Sequence, residues 1–268
     1  RALGIHLLLG PALDVPRDPA QWGCAWCSFG ESPALVASLG AAFVQGCQAG
    51  GALAAGGQFP GRGGAVYDPE RELTLLPQGR EALEKIDLAP YVEACRAGLG
   101  AVQTGHLHVT ALDNLPNRLA THSSSVVEGL LRSTLGFSGL LLTDNLAAPA
   151  VGVRYAPHQA AVLALAAGHD LLVTEDPEAV YGALYEVLWH GDVPRGRLLQ
   201  AVRRVWEAKE RLGLWRCRQA AGELPDSGQG LALAREMACA SLVLLRGRPE
   251  ALLTRPLLVA TTQAMRCD

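Results

Sequence analysis

Polar side chains recur directly after short apolar stretches of this chain. The stretches are often introduced by glycine, and the polar residues that follow them are Asp14, Gln58, His106, Asp144, Glu175 and Asp176. Carboxylate, amide and imidazole groups can bind a polar ligand, and carboxyl and imidazole groups can also move protons. We therefore take these positions as the candidate functional residues and ask which elements would position them.

Cysteine and histidine pairs offer a second kind of chemistry. Cys24 and Cys27 form a C-x-x-C, but a zinc site needs a second such pair, and the motif does not stand between a strand and a helix as in a redox protein. His106 and His108 alternate as metal ligands can, yet no third ligand is evident nearby. The seven cysteines are odd in number and scattered, which argues against a disulfide framework. We expect no metal and a structural or incidental role for the cysteine pair.

The apolar stretches have the length and composition of strands buried on both faces of a parallel sheet. They are Gly4–Leu9, Gly51–Ala55, Leu99–Val102, Gly139–Leu142 and Asp170–Val173. Segments with helical spacing lie among and after them: Pro33–Ala49, Ser123–Leu135, His158–Ala167, Glu178–Trp189 and Leu198–Leu212. The sequence therefore predicts an α/β fold.

Two architectures share this alternation, a (β/α)₈ barrel and an open doubly wound sheet. Neither a G-x-G-x-x-G motif nor a phosphate loop is present to favour the open sheet. In a barrel, working residues lie on the loops after the carboxyl ends of the strands, which is where the polar residues fall. Five predicted strands leave a closed barrel about three short.

Composition excludes several classes of partner. Hydrophobic residues make up 49% of the 268 residues and the net charge is −3, so there is no basic field for nucleic acid or an anionic membrane. No apolar run reaches the roughly 18 residues of a transmembrane helix.

The chain changes character after Gly213. Residues 214–230 read as a linker, with Gly222–Gly230 rich in turn-forming residues. A helix is predicted around Leu231–Ser241, and Pro256–Ala260 reads as the first strand of another unit. We predict a partial barrel domain over residues 1–213 and the start of a second domain over 231–268.

Seven segments, in order, resemble glycoside hydrolase family 3, in particular its bacterial β-N-acetylglucosaminidase branch. They are GPALDV with RDP from Gly10, SFGESP from Ser28, QFPGRG from Gln58, LGFSG to TDNL from Leu135, AAGHD to DP from Ala166, the helix Val193–Leu212, and ARE to LLR from Ala234. The resemblance implies a (β/α)₈ barrel whose first strands precede Arg1. It also implies a glycosidase that needs no cofactor, acts on a small carbohydrate and lies in the cytoplasm.

The resemblance also assigns roles. Asp144 aligns with the family's nucleophile, the carboxylate that a retaining glycosidase uses to attack the anomeric carbon. The residues implied to contact sugar are Asp14, Gln58, Arg62 and His106. The family's acid/base Asp-x-His becomes Asp68-Pro69-Glu70, so Glu70 or Asp68 would have to protonate the leaving oxygen.

Several polar positions of the family motif are changed. Its lysine and first histidine are Gly57 and Gln58, and its second histidine is Arg62. Each lost charge-assisted contact is worth roughly 1.5–3 kcal/mol. Two hypotheses follow: a retaining hydrolase of terminal β-linked sugars (of β-N-acetylhexosaminidase or β-glucosidase type), or a catalytically impaired relative that binds sugar or serves as a scaffold. A Schiff-base lyase would need a lysine at a strand end, and neither Lys85 nor Lys209 is so placed.

Overall fold

The computed structural model describes residues 4–18, 27–215 and 227–241. Its strands are β1 (Leu7–Ala12), β2 (Leu53–Phe59), β3 (Thr74–Leu76), β4 (Ala101–Thr104), β5 (Leu107–Val109) and β6 (Leu140–Thr143). A parallel sheet has the order β1-β2-β4-β6, and β3 pairs with β5 in a separate parallel pair. The predicted parallel α/β class is confirmed.

A further segment extends the main sheet beyond β6. Leu171 forms a parallel bridge with Leu142, and its amide donates to the Leu141 carbonyl at 3.0 Å. The described strands thus form an open arc of consecutive strand–helix units, the arrangement found within a (β/α)₈ barrel. This arc puts the carboxyl ends of its strands on one side.

The α-helices lie mostly between the strands and after the last of them. They are α1 (Pro33–Ala49), α2 (Arg80–Ala82), α3 (Ala89–Arg96), α4 (Pro149–Gly152), α5 (Pro157–Ala167), α6 (Pro177–His190), α7 (Arg195–Arg211) and α8 (Ser227–Ala240). Two π-helices, Leu83–Asp87 and Ser125–Thr134, and a 3₁₀ turn, Ala120–His122, complete the set. No described helix is both long enough and apolar enough to span a bilayer.

Local sequence explains how several helices begin and end. Asp176 caps α6 by accepting the Ala179 amide at 3.0 Å, and Pro177 occupies the first turn, where its missing N–H costs nothing. Gly191 ends the same helix with a φ of 82°, a conformation that glycine tolerates. These local signals are why the predicted α1 and α6 match the observed bounds closely.

The structure differs from the sequence prediction in several places. The segment predicted as Ser123–Leu135 is π-helical rather than α-helical, and Asp170–Val173 contributes a single bridge rather than a full strand. The pair β3 and β5 was not predicted, because each strand has only three residues and carries no periodic signal. The four main strands begin one to three residues later than predicted, and β2 continues past its apolar run to Phe59.

The main core lies between the sheet and its helices. Every residue of β2 is buried, and Val44, Phe59, Tyr91 and Leu131 belong to a large cluster of buried apolar side chains. Phe59 and Tyr91 pack edge to face with ring centroids 5.0 Å apart, a favoured aromatic geometry. This packing fixes the end of β2, from which the candidate site is built.

The chain divides into two compact units, Leu3–Gly222 and Glu223–Asp268. All the described strands belong to the first unit, and α8 is the described element of the second. The predicted strand Pro256–Ala260 lies outside the described residues, as does most of the predicted linker.

Candidate active site

Asp144 directly follows β6 and is surrounded by hydrogen-bond donors. Its Oδ2 accepts from Gln58 Nε2, and its Oδ1 accepts from Gln103 Nε2 at 3.1 Å and from the Asn145 amide at 2.8 Å. Its own amide donates to the Thr104 carbonyl at 3.2 Å. The residue is buried, with 9% of its surface exposed. These amide donors stabilise the ionised form of the carboxylate. Because they bind both of its oxygens, they also hold it in one orientation.

The two glutamines reach Asp144 from neighbouring strands. Gln58 lies near the carboxyl end of β2 and Gln103 near that of β4, and β4 lies between β2 and β6. Gly57 leaves room for the second glutamine, since a Cβ there would lie 3.3 Å from the Gln103 Cβ. Sequence reasoning identified Gln58 and missed Gln103, although its position directly after an apolar run was an available signal.

Arg62 connects carboxylates from two different loops. Its backbone amide donates to Asp14 Oδ1 at 2.6 Å, and its Nε donates to Asp14 Oδ2 at 2.9 Å. Its Nη1 also lies 3.7 Å from Glu70 Oε1. Asp14 is fully buried, whereas 55% of the Glu70 side chain is exposed. The arginine thus places a fixed positive charge between these two carboxylates, at the position where the motif that this chain resembles has a histidine.

Burial dominates the electrostatics of the two inner carboxyl groups. It raises the pKa of Asp144 above its ordinary value, while the Asn145 amide, the Arg62 charge and Gln58 act to lower it. Burial likewise raises the pKa of Asp14, with Arg62 opposing the shift. Arg62 is therefore the positive charge that favours ionisation of both groups.

Asp68 and Glu70 act electrostatically on residues of the site. Asp68 raises the pKa of Asp144 through its charge, and Glu70 acts on the pKa of His106 in the same electrostatic way. Asp68 Oδ1 accepts the Glu70 amide at 3.0 Å. Asp68 therefore lies within electrostatic reach of Asp144, and Glu70 is connected to the site through Arg62 and His106.

His106 lies behind the site rather than on its surface. The residue is fully buried, its Nε2 lies 2.9 Å from the Asn145 carbonyl oxygen, and its Nδ1 lies 3.0 Å from Thr121 Oγ1. Burial lowers its pKa to about 4. With both nitrogens engaged, His106 does not offer a sugar the direct contact that the sequence predicted, and it reaches the site through Asn145.

The remaining metal and thiol candidates are placed elsewhere. His108 is buried, with Nε2 3.2 Å from the Asp113 carbonyl oxygen. Within the described ranges, no three His, Cys, Asp or Glu side chains are grouped as a metal ion would require. Cys27 is an exposed free thiol, and Cys24 lies outside the described residues.

A buried ion pair next to this site was missed from the sequence. Arg17 Nη2 lies 2.5 Å from Asp87 Oδ2, and burial raises the pKa of Asp87 to about 7, with Arg17 lowering it and Asp14 raising it further. A Cβ at Gly61 would lie 3.2 Å from the Asp87 Cβ, so this glycine lets the loop approach. The pair therefore supports the loop that carries Arg62.

Comparison with known proteins agrees with this geometry. The model of the glycosyl hydrolase family 3 N-terminal domain matches residues 1–208. A β-N-acetylglucosaminidase/β-glucosidase of Cellulomonas fimi is 30% identical over 266 residues, which cover 93% of this chain and 46% of that protein. A β-hexosaminidase of Xylella fastidiosa (strain M12) is 31% identical over 191 residues, covering 70% of this chain and 54% of the relative.

Solved structures agree as well. A family 3 β-N-acetylglucosaminidase from Paenibacillus sp. str. FPU-7 superimposes with a TM-score of 0.85 at 32% identity, over 92% of this chain and 48% of that one. The chain thus spans about half the length of these relatives. The fold is a portion of a (β/α)₈ barrel, as predicted, and the chain belongs to glycosyl hydrolase family 3.

Proposed function

We propose that this chain supplies the barrel of a retaining glycosidase that removes terminal β-linked sugars. The sugar would be of the N-acetylhexosamine or glucose type, as the names of the relatives suggest. The observation that carries the proposal is the placement of Asp144 after β6, with oriented donors on both oxygens and Arg62 close enough to favour its ionised form.

Asp144 is the proposed nucleophile. A retaining glycosidase forms a bond between a carboxylate oxygen and the anomeric carbon while the bond to the leaving oxygen breaks, and water later cleaves the glycosyl-enzyme. Gln103 and the Asn145 amide hold Oδ1, so Oδ2 is the oxygen that would attack. Gln58 would then exchange its bond to Oδ2 for a bond to the sugar.

Glu70 or Asp68 is the proposed proton donor. A carboxyl group in this role must protonate the leaving oxygen and then deprotonate the attacking water. Asp68 accepts the Glu70 amide, and Arg62 lies near Glu70, so the two groups share one loop at the rim. Arg62, with Asp14 behind it, and Gln58 are the proposed sugar contacts.

A trapping experiment tests the proposal. The full chain is incubated with aryl β-glycosides and then with a 2-fluoro sugar, and the labelled peptide is identified by mass spectrometry. We expect turnover and a label on Asp144, and neither in Asp144→Asn. Asp192→Asn, which makes the same change at an exposed residue after α6, is the matched control and should still be labelled.

A catalytically impaired, sugar-binding relative is the second candidate. It is favoured by the Asp14–Arg62 pair, which neutralises a carboxylate assigned to sugar binding, and by Gln58 on the attacking oxygen. Absence of turnover and label across a panel of sugars, with calorimetric binding retained, would establish this second function. A label on any residue other than Asp144 would contradict the assigned nucleophile.

A further inference from the structure

A buried hydrogen-bonded chain begins at the loop that carries Asp144. His106 contacts the Asn145 carbonyl through Nε2 at 2.9 Å and Thr121 Oγ1 through Nδ1 at 3.0 Å. Thr121 Oγ1 lies 3.4 Å from Thr104 Oγ1. These contacts are buried or partly buried, so they act on the geometry of the site.

The chain continues to a second buried histidine. Thr104 Oγ1 lies 2.8 Å from His169 Nε2, and His169 Nδ1 lies 3.1 Å from the Ala164 carbonyl oxygen at the end of α5. His169 is fully buried, like His106. The two histidines therefore share burial and bonding pattern, but His106 alone of the pair is bonded to the Asp144–Asn145 loop in the described contacts.

The protonation state of His106 follows from its partners. A carbonyl oxygen can only accept, so Nε2 must carry the proton that is donated to Asn145. The ring is neutral near pH 7, since burial lowers its pKa to about 4, and Nδ1 therefore has a lone pair. Thr121 Oγ1 satisfies this lone pair by donating to it at 3.0 Å, and the Gly105 carbonyl oxygen lies 3.2 Å from the same hydroxyl, so Thr121 supports the tautomer that the Asn145 carbonyl selects.

The bond from His106 fixes a peptide next to the nucleophile. The Asn145 amide donates to Asp144 Oδ1 at 2.8 Å, and the carbonyl of the same residue accepts from His106. The next amide, Leu146 N–H, donates to the Val173 carbonyl at 2.9 Å. His106 and Val173 thus hold the Asn145–Leu146 peptide from both sides, and this fixes the Asn145 Cα at which the neighbouring peptide, with the N–H that donates to Asp144, begins.

We propose that His106, with its tautomer supported by Thr121, is a positioning residue that orients the Asp144 carboxylate through the Asn145 backbone. The inference rests on the proposed function of Asp144. Without the His106 bond, the Asn145–Leu146 peptide keeps only its bond to Val173, and the adjoining Asp144–Asn145 peptide, whose N–H donates to Oδ1, can shift. The bond from the Asn145 amide to Oδ1 is then weakened, and the carboxylate is oriented by the two glutamines alone.

Matched substitutions separate this role from bulk packing. His106→Gln keeps an N–H donor at the position of Nε2, whereas His106→Leu has similar size and no donor. Thr121→Ser keeps the hydroxyl, and Thr121→Val replaces it with a methyl group of the same shape. His169→Leu, equally buried and bonded to Thr104 rather than to the loop, controls for loss of a buried histidine.

Kinetics on the full chain give the first readout. We expect kcat to fall on the order of 100-fold in His106→Leu and Thr121→Val with KM little changed, because misplacement of a reacting group acts on the chemical step. His106→Gln and Thr121→Ser should recover most of the loss, and His169→Leu should keep kcat. Equal losses in His106→Gln and His106→Leu would overturn the proposal, as would an equal loss in His169→Leu.

Nuclear magnetic resonance gives a readout that does not depend on turnover. In the unsubstituted protein we expect ¹⁵N signals of a neutral His106 protonated at Nε2, and a carboxyl ¹³C titration of Asp144. His106→Leu should move this titration to higher pH and shift the Asn145 amide signal, and His106→Gln should restore both. If the unsubstituted protein shows neither turnover nor label, the proposed function fails, whereas an unchanged Asp144 titration in His106→Leu refutes the positioning role.

Discussion

Arg62 holds Asp14 at two points, through its backbone amide at 2.6 Å and through its side-chain Nε at 2.9 Å. The backbone bond is available to any residue at this position, but the side-chain bond requires a donor of arginine's reach. The pair therefore connects the loop after β2 to the segment after β1, and it keeps a fully buried carboxylate from standing alone in the protein interior.

Removal of the Arg62 side chain should destabilise the fold. In Arg62→Met, Asp14 keeps its burial and loses its countercharge, and breaking a buried pair in this way costs roughly 3 kcal/mol or more. Urea denaturation measures the change in the free energy of unfolding. Arg71→Met is the control, since Arg71 is 81% exposed and lies 3.6 Å from Asp68, and it should cost at most about 1 kcal/mol. Similar costs for both variants would show that the Arg62 pair does not stabilise the interior.

The charge of Arg62 should also control the ionisation of Asp144. Arg62 lowers the pKa of this carboxyl group, so its loss raises that pKa, and the acidic limb of the pH dependence of kcat/KM moves to higher pH. Arg62→Met and Arg62→Lys are compared over a pH series, and the lysine variant, which keeps the charge, should show the smaller displacement. If the acidic limb of kcat/KM stays at the same pH in Arg62→Met, a group other than Asp144 determines that limb.

Asp87 should make the protein less stable as the pH rises. Burial raises its pKa from 3.8 to about 7, so the folded protein binds the proton more tightly than the unfolded chain does. The stabilisation is complete below the unfolded pKa and is lost as the pH rises towards 7, by at most about 4 kcal/mol for a shift of this size. Urea denaturation from pH 4 to 8 should show that Asp87→Asn lacks this loss.

Buried histidines act in the opposite direction, so the difference between variants is the quantity to measure. Burial lowers the pKa of His106 and His122 to about 4 and that of His169 to about 3, and acidification below pH 6.5 therefore favours the unfolded chain. These contributions are common to Asp87→Asn and to the control Glu84→Gln, whose carboxylate is exposed. An Asp87→Asn profile parallel to that of the control would refute the assignment.

Asp170 should be among the most sensitive structural positions of the barrel. Its carboxylate accepts from Arg132 at 2.8 Å, Arg197 at 3.1 Å and Arg204 at 3.0 Å, and also from the Leu141 amide at 3.1 Å. Asp170→Asn leaves three guanidinium groups without their countercharge, and we expect a loss of roughly 3–5 kcal/mol in the free energy of unfolding.

Glu207→Gln controls for the loss of a single ion pair, because the Arg203–Glu207 pair is exposed on α7. Thermal denaturation should show a change for this variant that is small beside that of Asp170→Asn. If the two variants lowered the midpoint temperature of unfolding equally, the Asp170 cluster would have no special role in holding α7 and the π-helix Ser125–Thr134 to the sheet.

Short-range signals made much of the fold predictable. Alternating apolar and helical segments gave α1 at its observed bounds, and the proline and capping aspartate at the start of α6 placed that helix within a residue. The resemblance of ordered motifs supplied the barrel class and the importance of Asp144. Weak signals failed, as with β3 and β5, where three residues are too few to show a period.

The candidate site was predictable in its carboxylates and only partly in their partners. Asp14, Asp68, Glu70 and Asp144 were named from the sequence, and Gln58 was named with them. Gln103 was missed although it directly follows an apolar run, and Thr121 was missed because it stands at no strand end. His106 was named as a sugar contact, but the structure places it inside the barrel with both nitrogens bonded. Its depth depends on how the strand ends pack, which one sequence does not contain.

The sequence by itself determined the order of strands and helices, the family, and which carboxylates stand at strand ends, because these depend on neighbouring residues and on motif order. Only the tertiary structure decided which side chains meet. Gln58 and Asp144 are 86 positions apart in the chain and share a hydrogen bond. They meet because a single strand, β4, lies between β2 and β6 in the sheet. Burial, which raises the pKa of Asp144 and lowers that of His106, arises from the same packing of distant segments.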